Sequence, residues 1–247
     1  MITKANIKYI QSLQHKKYRD ENNTFFAEGI KVVQELLSSN IFECEAIYCT
    51  HAGYELISKT LVNAYSNKIN IIEDFELQKI SALVTANCIL AIFQKKYTEA
   101  SINIANKLTI VLDDIQDPGN LGTIIRTADW FGIKTIFCSE FTADCYSPKV
   151  VQSTMASLGR VNIVYGSIKE QFQKNEHIKK YAAVLDGKDI RTYKKIEEGF
   201  VVIGNESKGI SKNIIDMCEE KISIERVGGA ESLNAGVACA IILFAII

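Results

Sequence analysis

Three short stretches carry residues whose types and spacing could do chemistry. The first runs Asp113-Asp114-Ile115-Gln116-Asp117-Pro118-Gly119-Asn120-Leu121-Gly122-Thr123-Ile124-Ile125-Arg126, directly after the apolar run Leu108 to Leu112. Asp-Pro-Gly is turn chemistry, Asn120 is placed to cap a helix, and Gly122 lets another group come close. Arg126 falls in the second turn of that helix. A turn, a cap and a surface arginine are the plain reading, but two carboxylates, an amide and a guanidinium exceed what a tight turn needs. The second stretch is Gly204-Asn205-Glu206-Ser207-Lys208-Gly209, after Phe200 to Ile203. Its plain reading is a glycine loop before a helix capped by Ser211; its functional reading is backbone N–H and C=O left open for a small polar ligand. The third is Glu225-Arg226-Val227-Gly228-Gly229-Ala230, after Lys221 to Ile224 and before Glu231-Ser232-Leu233-Asn234. Three loops of this kind in one domain point to one composite pocket.

Several other chemistries are excluded. The second loop lacks the Gly-Lys-Ser/Thr ending of a phosphate-cradling loop, since Ile210 follows Gly209, and no Gly-x-Gly-x-x-Gly follows a strand. The seven cysteines, at 44, 49, 88, 138, 145, 218 and 239, contain no Cys-x-x-Cys pair. Their odd number and scatter suggest buried thiols in a reducing compartment, with neither a disulfide framework nor a zinc site. His15, His51 and His177 lie far apart and near no cysteine cluster, so no metal is expected.

The elements that must position the three loops follow from periodicity. Apolar strands at 108–112, 134–138, 161–164, 181–185, 200–203 and 221–224 alternate with helices at 119–130, 148–158, 168–175 and 211–217. Continuous apolar strands between helices imply a parallel sheet covered on both faces, with ligands beyond the strands' C-terminal ends. The chain then closes with Ala235 to Ile247, apolar on every helical face, which is the pattern of a helix buried all round. Its polar residues, Ser232 and Asn234, stand at its start, where capping is useful. On that stretch alone, a capped core helix is the plainer reading.

Before residue 95 the pattern is also α/β, in a smaller unit. Helical periods fill residues 1 to about 37, broken at Asn22-Asn23 and by the short apolar run Phe25-Phe26-Ala27. Strands follow at 46–49, 69–72 and 89–93, with helices at 54–64 and 75–83. Lys4, Lys8, Lys16, Lys17, Arg19 and Lys31 form the densest basic region, readable equally as a solvated helix face or as phosphate contacts to RNA. Residues 94–107 lose the pattern, giving a boundary between domains at 1–95 and 107–247.

Composition frames these readings. The 247 residues are 47% hydrophobic with net charge -1, and mean hydropathy is +0.05. That is a folded chain without a uniformly basic surface. The apolar run after Asn234 is shorter than the ~20 residues of a membrane span, and residues 2–17 mix polar and apolar types without a signal core. A cytoplasmic location is the expectation.

At the three loops the chain resembles the SpoU (TrmH) branch of the SPOUT RNA methyltransferases. Asn120-x-Gly122-x-x-x-Arg126, Gly204-Asn205-Glu206 with Gly209, and Ser232-Leu233-Asn234 match its three motifs in order and spacing, within the framing Asp-Pro-Gly-Asn and Arg-Thr-Ala-x-x-Phe-Gly. The likeness extends through Ser147-Pro148-Lys149 and covers about residues 107 to 247; Asn6, Lys8, Phe25, Glu28 and Gly29 carry a weaker likeness of residues 1–95 to the small α/β substrate-binding domain that often precedes it.

The resemblance implies methyl transfer from S-adenosylmethionine to a ribose 2′-hydroxyl of RNA, in a homodimer whose C-terminal segment forms a trefoil knot, an exception to unthreaded chains. The RNA would be ribosomal, 23S above others, with transfer RNA as the alternative; a non-catalytic RNA-binding protein on the same scaffold is a third reading. The donor would be held by Gly204, Ile224 and Leu233, which offer backbone groups and an apolar wall. Arg126 would act at the ribose, as base in the family's usual account or, because a guanidinium keeps its proton, as a grip on the adjacent phosphate. Asn120 and Asn234 would orient Arg126 or the ribose, Glu206 would pair with the arginine, and Ser232 would cap the last helix or touch RNA. Two departures from the family pattern flank the donor site: Glu225-Arg226 stands where Pro-Met is usual, and Ala235-Gly236 where Val-Ser is.

Overall fold

The computed structural model describes residues 1–96 and 107–247. By packing, the chain divides into two units: Met1–Tyr97 with Asp144–Gly159, and Thr98–Ala143 with Arg160–Ile247. Most of the patternless stretch at 94–107 lies outside the described residues.

In the first unit the order is α1 (Lys4–Ser12), α2 (Lys16–Asn22), β1 (Thr24–Glu28), α3 (Ile30–Ser39), β2 (Cys44–Cys49), α4 (His51–Leu56), α5 (Lys59–Ala64), β3 (Ile69–Ile71), α6 (Asp74–Ile80) and β4 (Ile89–Gln94). Side-chain caps set several starts: Thr3, Thr50 and Ser58 each accept a backbone N–H from the first turn that follows. The sheet order is β1-β4-β2-β3, antiparallel except for β2 with β3. Phe25-Phe26-Ala27 is therefore a full edge strand, buried at every position. Ile10, Leu13, Phe26, Leu77, Ile80, Leu90 and Ile92 form one core between the helices and this sheet, each such side chain contributing about 1.5–3 kcal/mol on burial.

The boundary expected at residue 107 does not describe the packing of one segment. Asp144–Gly159, between two strands of the second unit in sequence, belongs to the first. It carries α8 (Pro148–Ser153), which packs on β1. The helix expected over 148–158 stops at Ser153, and a 3₁₀ turn follows at Ser157–Gly159. Tyr146 stacks on Phe25 at 4.8 Å between ring centroids. Arg19, whose side chain is 3% exposed, pairs with Asp144 through Nε (3.1 Å) and Nη2 (2.7 Å), while its Nη1 donates to the carbonyls of Leu13 and Gln14. Arg19 thus leaves the basic cluster. Lys16 and Lys17 pair with Asp20 and Glu21 on the same helix, so Lys4, Lys8 and Lys31 are what remains of it.

The second unit runs β5 (Leu108–Asp113), α7 (Pro118–Trp130), β6 (Thr135–Cys138), β7 (Asn162–Tyr165), α9 (Ile168–Lys174), β8 (Lys180–Asp189), β9 (Gly199–Gly204), α10 (Lys212–Ile215), β10 (Glu220–Ser223) and α11 (Ala235–Ile246). All six strands are parallel, in the order β10-β8-β9-β5-β6-β7. The expected doubly covered parallel sheet is present. Val111, Phe137, Val164, Phe172, Phe200, Val202 and Ile214 fill one face, while α11 packs on α7 and β9, and α7 packs on β6. The last helix is not buried all round: Val237, Ile241 and Phe244 lie exposed on one side of it, Phe244 by 79%, while Cys239, Ile242, Leu243 and Ile246 are buried.

The Arg19–Asp144 pair generates a stability prediction. Removing one member of a buried, hydrogen-bonded pair leaves the other charge uncompensated, at a cost of about 3–5 kcal/mol. R19A should lower the denaturant midpoint by a corresponding amount, whereas K17A, at an exposed intrahelical pair, should change stability by less than about 0.5 kcal/mol.

Candidate active site

The candidate loops leave from adjacent strand ends. Asp113, last in β5, pairs in register with Gly204, last in β9. Asp114 then takes a left-handed turn at φ 57°, and its carbonyl accepts Asn205 Nδ2 at 2.8 Å. Asn205 Oδ1 accepts the N–H groups of Ser207 and Lys208, and Asn205 and Gly209 exchange backbone hydrogen bonds. The loop after β9 therefore folds back over its own strand end. Glycine is required at two points of that turn. A Cβ on Gly204 would lie 2.3 Å from the carbonyl carbon of Gly209, and Gly209 has φ 69°. Ser211 is not a side-chain cap; its N–H (2.6 Å) and Oγ (2.5 Å) both donate to Asp113 Oδ2, fastening the far end of the loop to β5.

Within this frame three of the predicted residues meet. Asn120 Nδ2 donates to Glu206 Oε1 at 2.6 Å, and Asn234 Nδ2 donates to Asn120 Oδ1 at 2.7 Å. Asn234 Oδ1 in turn accepts the N–H groups of Gly236 and Val237, capping α11. One side-chain chain thus joins the mouth of β5, the mouth of β9 and the start of the last helix. Asn120 is not the cap of α7: Asp117 is, accepting Asn120 N–H at 2.9 Å, which frees the Asn120 carboxamide for this bridge.

The remaining predicted residues stand differently. Arg126 is exposed on the third turn of α7 and does not pair with Glu206, which is turned toward Asn120. Of the five arginines in the chain, Arg19, Arg160 and Arg191 form ion pairs and Arg226 reaches a carbonyl. Arg126 has no hydrogen bond or ion pair to any described residue. Ser232 is exposed and does not cap α11. Ile224 is half-buried and Leu233 46% exposed. From Glu225 to Leu233 no backbone group is paired with another backbone group among the described residues.

Two features escaped the sequence. Arg191 bridges Asp189 and Glu225 at the ends of β8 and β10, a contact that depends on strand register and has no local signature. Asp113 fastens the β9 loop through Ser211, although as a strand-end carboxylate it was visible. Four thiols are held protonated by burial, which pushes Cys44, Cys218 and Cys239 up to about 12 and Cys49 up to about 11. Among the described residues no group of three or more His, Cys, Asp or Glu could hold a metal ion, and no helix is long and apolar enough to cross a membrane.

Residues 107–244 match the SpoU rRNA Methylase family, and residues 4–91 match the MRM3-like substrate binding domain. The chain is 27% identical to the 23S rRNA (guanosine(2553)-2'-O)-methyltransferase RlmP of Bacillus subtilis, over 96% of this chain and 94% of that one. A TrmH-family structure from Porphyromonas gingivalis is 32% identical with a TM-score of 0.87, covering 99% of this chain and 98% of its own. An AdoMet-bound rRNA methyltransferase from Sinorhizobium meliloti is 27% identical with a TM-score of 0.87, covering 99% and 95%.

The bridge can be tested by one atom. N120D replaces the donor facing Glu206 with a second carboxylate oxygen, so it should cost about 1–3 kcal/mol, more than N120A does. Thermal unfolding of the two variants at neutral pH checks the order.

Proposed function

The chain belongs to the SpoU rRNA methylase family, and from that membership we propose that it methylates a ribose 2′-hydroxyl of 23S ribosomal RNA, using S-adenosylmethionine, in the cytoplasm. The observation that carries the reading is the Glu206–Asn120–Asn234 chain, which ties three loops of different sequence origin into one polar cluster at the carboxyl ends of β5 and β9. A stabilised turn does not need it. Seven free cysteines, five of them buried, suit a reducing compartment.

The donor site fits the residues present. Gly204 can offer only backbone, Leu233 an exposed apolar wall, and the backbone of residues 225–233 makes no bond to other backbone among the described residues. S-adenosylmethionine, when bound, supplies an electrophilic methyl on a sulfonium. The chain's part is then to hold and ready the acceptor. Arg126 grips the phosphate beside the target ribose and stabilises the alkoxide as the hydroxyl proton leaves to solvent. Asn120 and Asn234 fix the floor on which the ribose rests, Glu206 locks Asn120 in the required orientation, and Ser232 is free to meet RNA. Residues 1–95 bind the substrate RNA, with Lys4, Lys8 and Lys31 as phosphate contacts.

The family's dimer and knot are part of the same proposal. Val237, Ile241 and Phe244 are spaced i, i+4, i+7 along α11, so their exposed side chains form one apolar stripe. A second copy is its natural cover. The C-terminal segment docks back on the chain after β8 through Ile196 N–H to the Ile246 carbonyl at 2.7 Å, as a knotted end would. F244D should convert a dimer to monomer in sedimentation velocity, with the monomer's secondary structure retained; an unchanged dimer would place the seam elsewhere.

Activity is tested by mapping 2′-O-methyl positions in total RNA from a strain lacking the gene. One 23S position should lose its mark and regain it with the wild-type chain. R126A should fail to restore it, with a rate loss of at least about 100-fold, while calorimetry finds its donor affinity within about threefold of wild type. Loss of donor binding in R126A, or a methyl lost only from transfer RNA, would overturn these assignments.

A further inference from the structure

Strand β10 pairs with β8 in two registers. Glu220 and Lys221 face Tyr181 and Ala182; Ile222 and Ser223 then face Lys188 and Asp189. At the second pairing the backbones nearly touch, since a Cβ on Gly187 would lie 2.6 Å from the carbonyl carbon of Ile222. Ser223 Oγ donates to the Gly187 carbonyl at 2.7 Å. The shift sets Asp189 level with Ser223, two residues before Glu225.

Arg191 uses that placement. Asp189 Oδ1 accepts its N–H at 2.9 Å, its Nε donates to both Asp189 oxygens, and its Nη2 donates to Asp189 Oδ2 and to Glu225 Oε2. These bonds hold the Asp189 carboxyl below the usual carboxylate range. The guanidinium is thus fixed at the strand end by one carboxylate and grasps with its remaining reach the residue that opens the 225–233 stretch. Within that stretch, the other hydrogen bond among described residues is Arg226 Nη1 to the Ala230 carbonyl, at 3.4 Å. A segment without a backbone ladder keeps its conformational entropy unless side chains restrain it. A ligand that binds such a segment must supply that ordering itself.

We propose that Arg191 is a positioning residue for the methyl donor: by clamping Glu225 to Asp189 it pre-orders the loop that follows Ile224. This rests on the donor site proposed above. Arg191 touches neither donor nor ribose; it acts through Glu225 on the shape of the backbone that receives the donor. Such a residue affects donor affinity and leaves the chemical step alone.

The experiment compares wild type, R191Q, E225Q and R191Q/E225Q. Calorimetry with S-adenosylmethionine should give about fivefold weaker binding for each single variant, and a double variant no weaker than the worse single, because both remove one contact. R191K, which keeps charge but not the fork, should fall between. Turnover at saturating donor should stay within about twofold of wild type. Raising salt should shrink the gap between wild type and R191Q, since the exposed pair is screened. Without any donor, trypsin should cut after Arg226 faster in R191Q than in wild type, while the unfolding midpoints agree. Wild-type donor affinity in R191Q, or a fall in turnover with affinity unchanged, overturns the clamp and leaves the donor site standing. Absence of donor binding by the wild-type chain overturns the site reading, and the clamp falls with it.

Discussion

A carboxamide donates from one atom and accepts at the other, and Asn120 does both at once. Its Nδ2 is given to the Glu206 carboxylate and its Oδ1 receives Asn234. Asn234 repeats the pattern, passing its own oxygen to the free N–H groups that begin α11. The bonds all run the same way, from the positive end of a helix to a carboxylate, so each polarises the next in one sense. Asparagine at 120 and 234 satisfies a donor and an acceptor at each position. Asp at 120 would set oxygen against oxygen, and Ser would not span the gap.

That chain can exist only because the backbone below it is held. Register between β5 and β9 sets Asp113 beside Gly204, and Gly204 lets the returning loop lie at a distance that no side chain would allow. Asp113 then anchors Ser211, and Asn205 anchors the loop to Asp114. Glu206 is thereby presented by a frame in which its own side chain plays no part. The division of labour is physical: glycines and strand-end carboxylates fix the loop, and Glu206 at its tip is left to accept Asn120.

Much of this was legible in the sequence, and the exceptions share a cause. The six parallel strands announced themselves as continuous apolar runs, and the site loops as polar clusters after them, since both are local patterns. Phe25-Phe26-Ala27 was too short to be recognised as β1, because an edge strand is defined by its partner, here β4. The capping role went to Asp117 rather than Asn120, a difference of three residues that local propensity does not resolve but that decides whether Asn120 has a carboxamide to spare. Ala235 to Ile247 reads as buried all round because it is apolar on every helical face, and that pattern does not say which face the fold leaves open. Asp144–Gly159 follows the second unit in sequence and the first in space, since what holds it is Arg19 and Phe25, more than a hundred residues earlier.

The arginines differ in how their donors are spent. Arg19 is buried and satisfied by a carboxylate and two carbonyls. Arg160 is spent on Asp129, and Arg191 on two carboxylates, one of them the Glu225 that departs from the family pattern. A guanidinium so engaged would have to surrender those bonds before it could bind a phosphate, which weakens any new contact by what it gives up. Arg126 surrenders nothing. It stands solvated on the third turn of α7, well beyond Asn120, with its five donors uncommitted to any described residue. Glu206, the carboxylate best placed by sequence to capture it, is instead occupied by Asn120. The amide bridge therefore does more than join the three loops: it occupies Glu206, while the Arg126 donors stay uncommitted to any described residue.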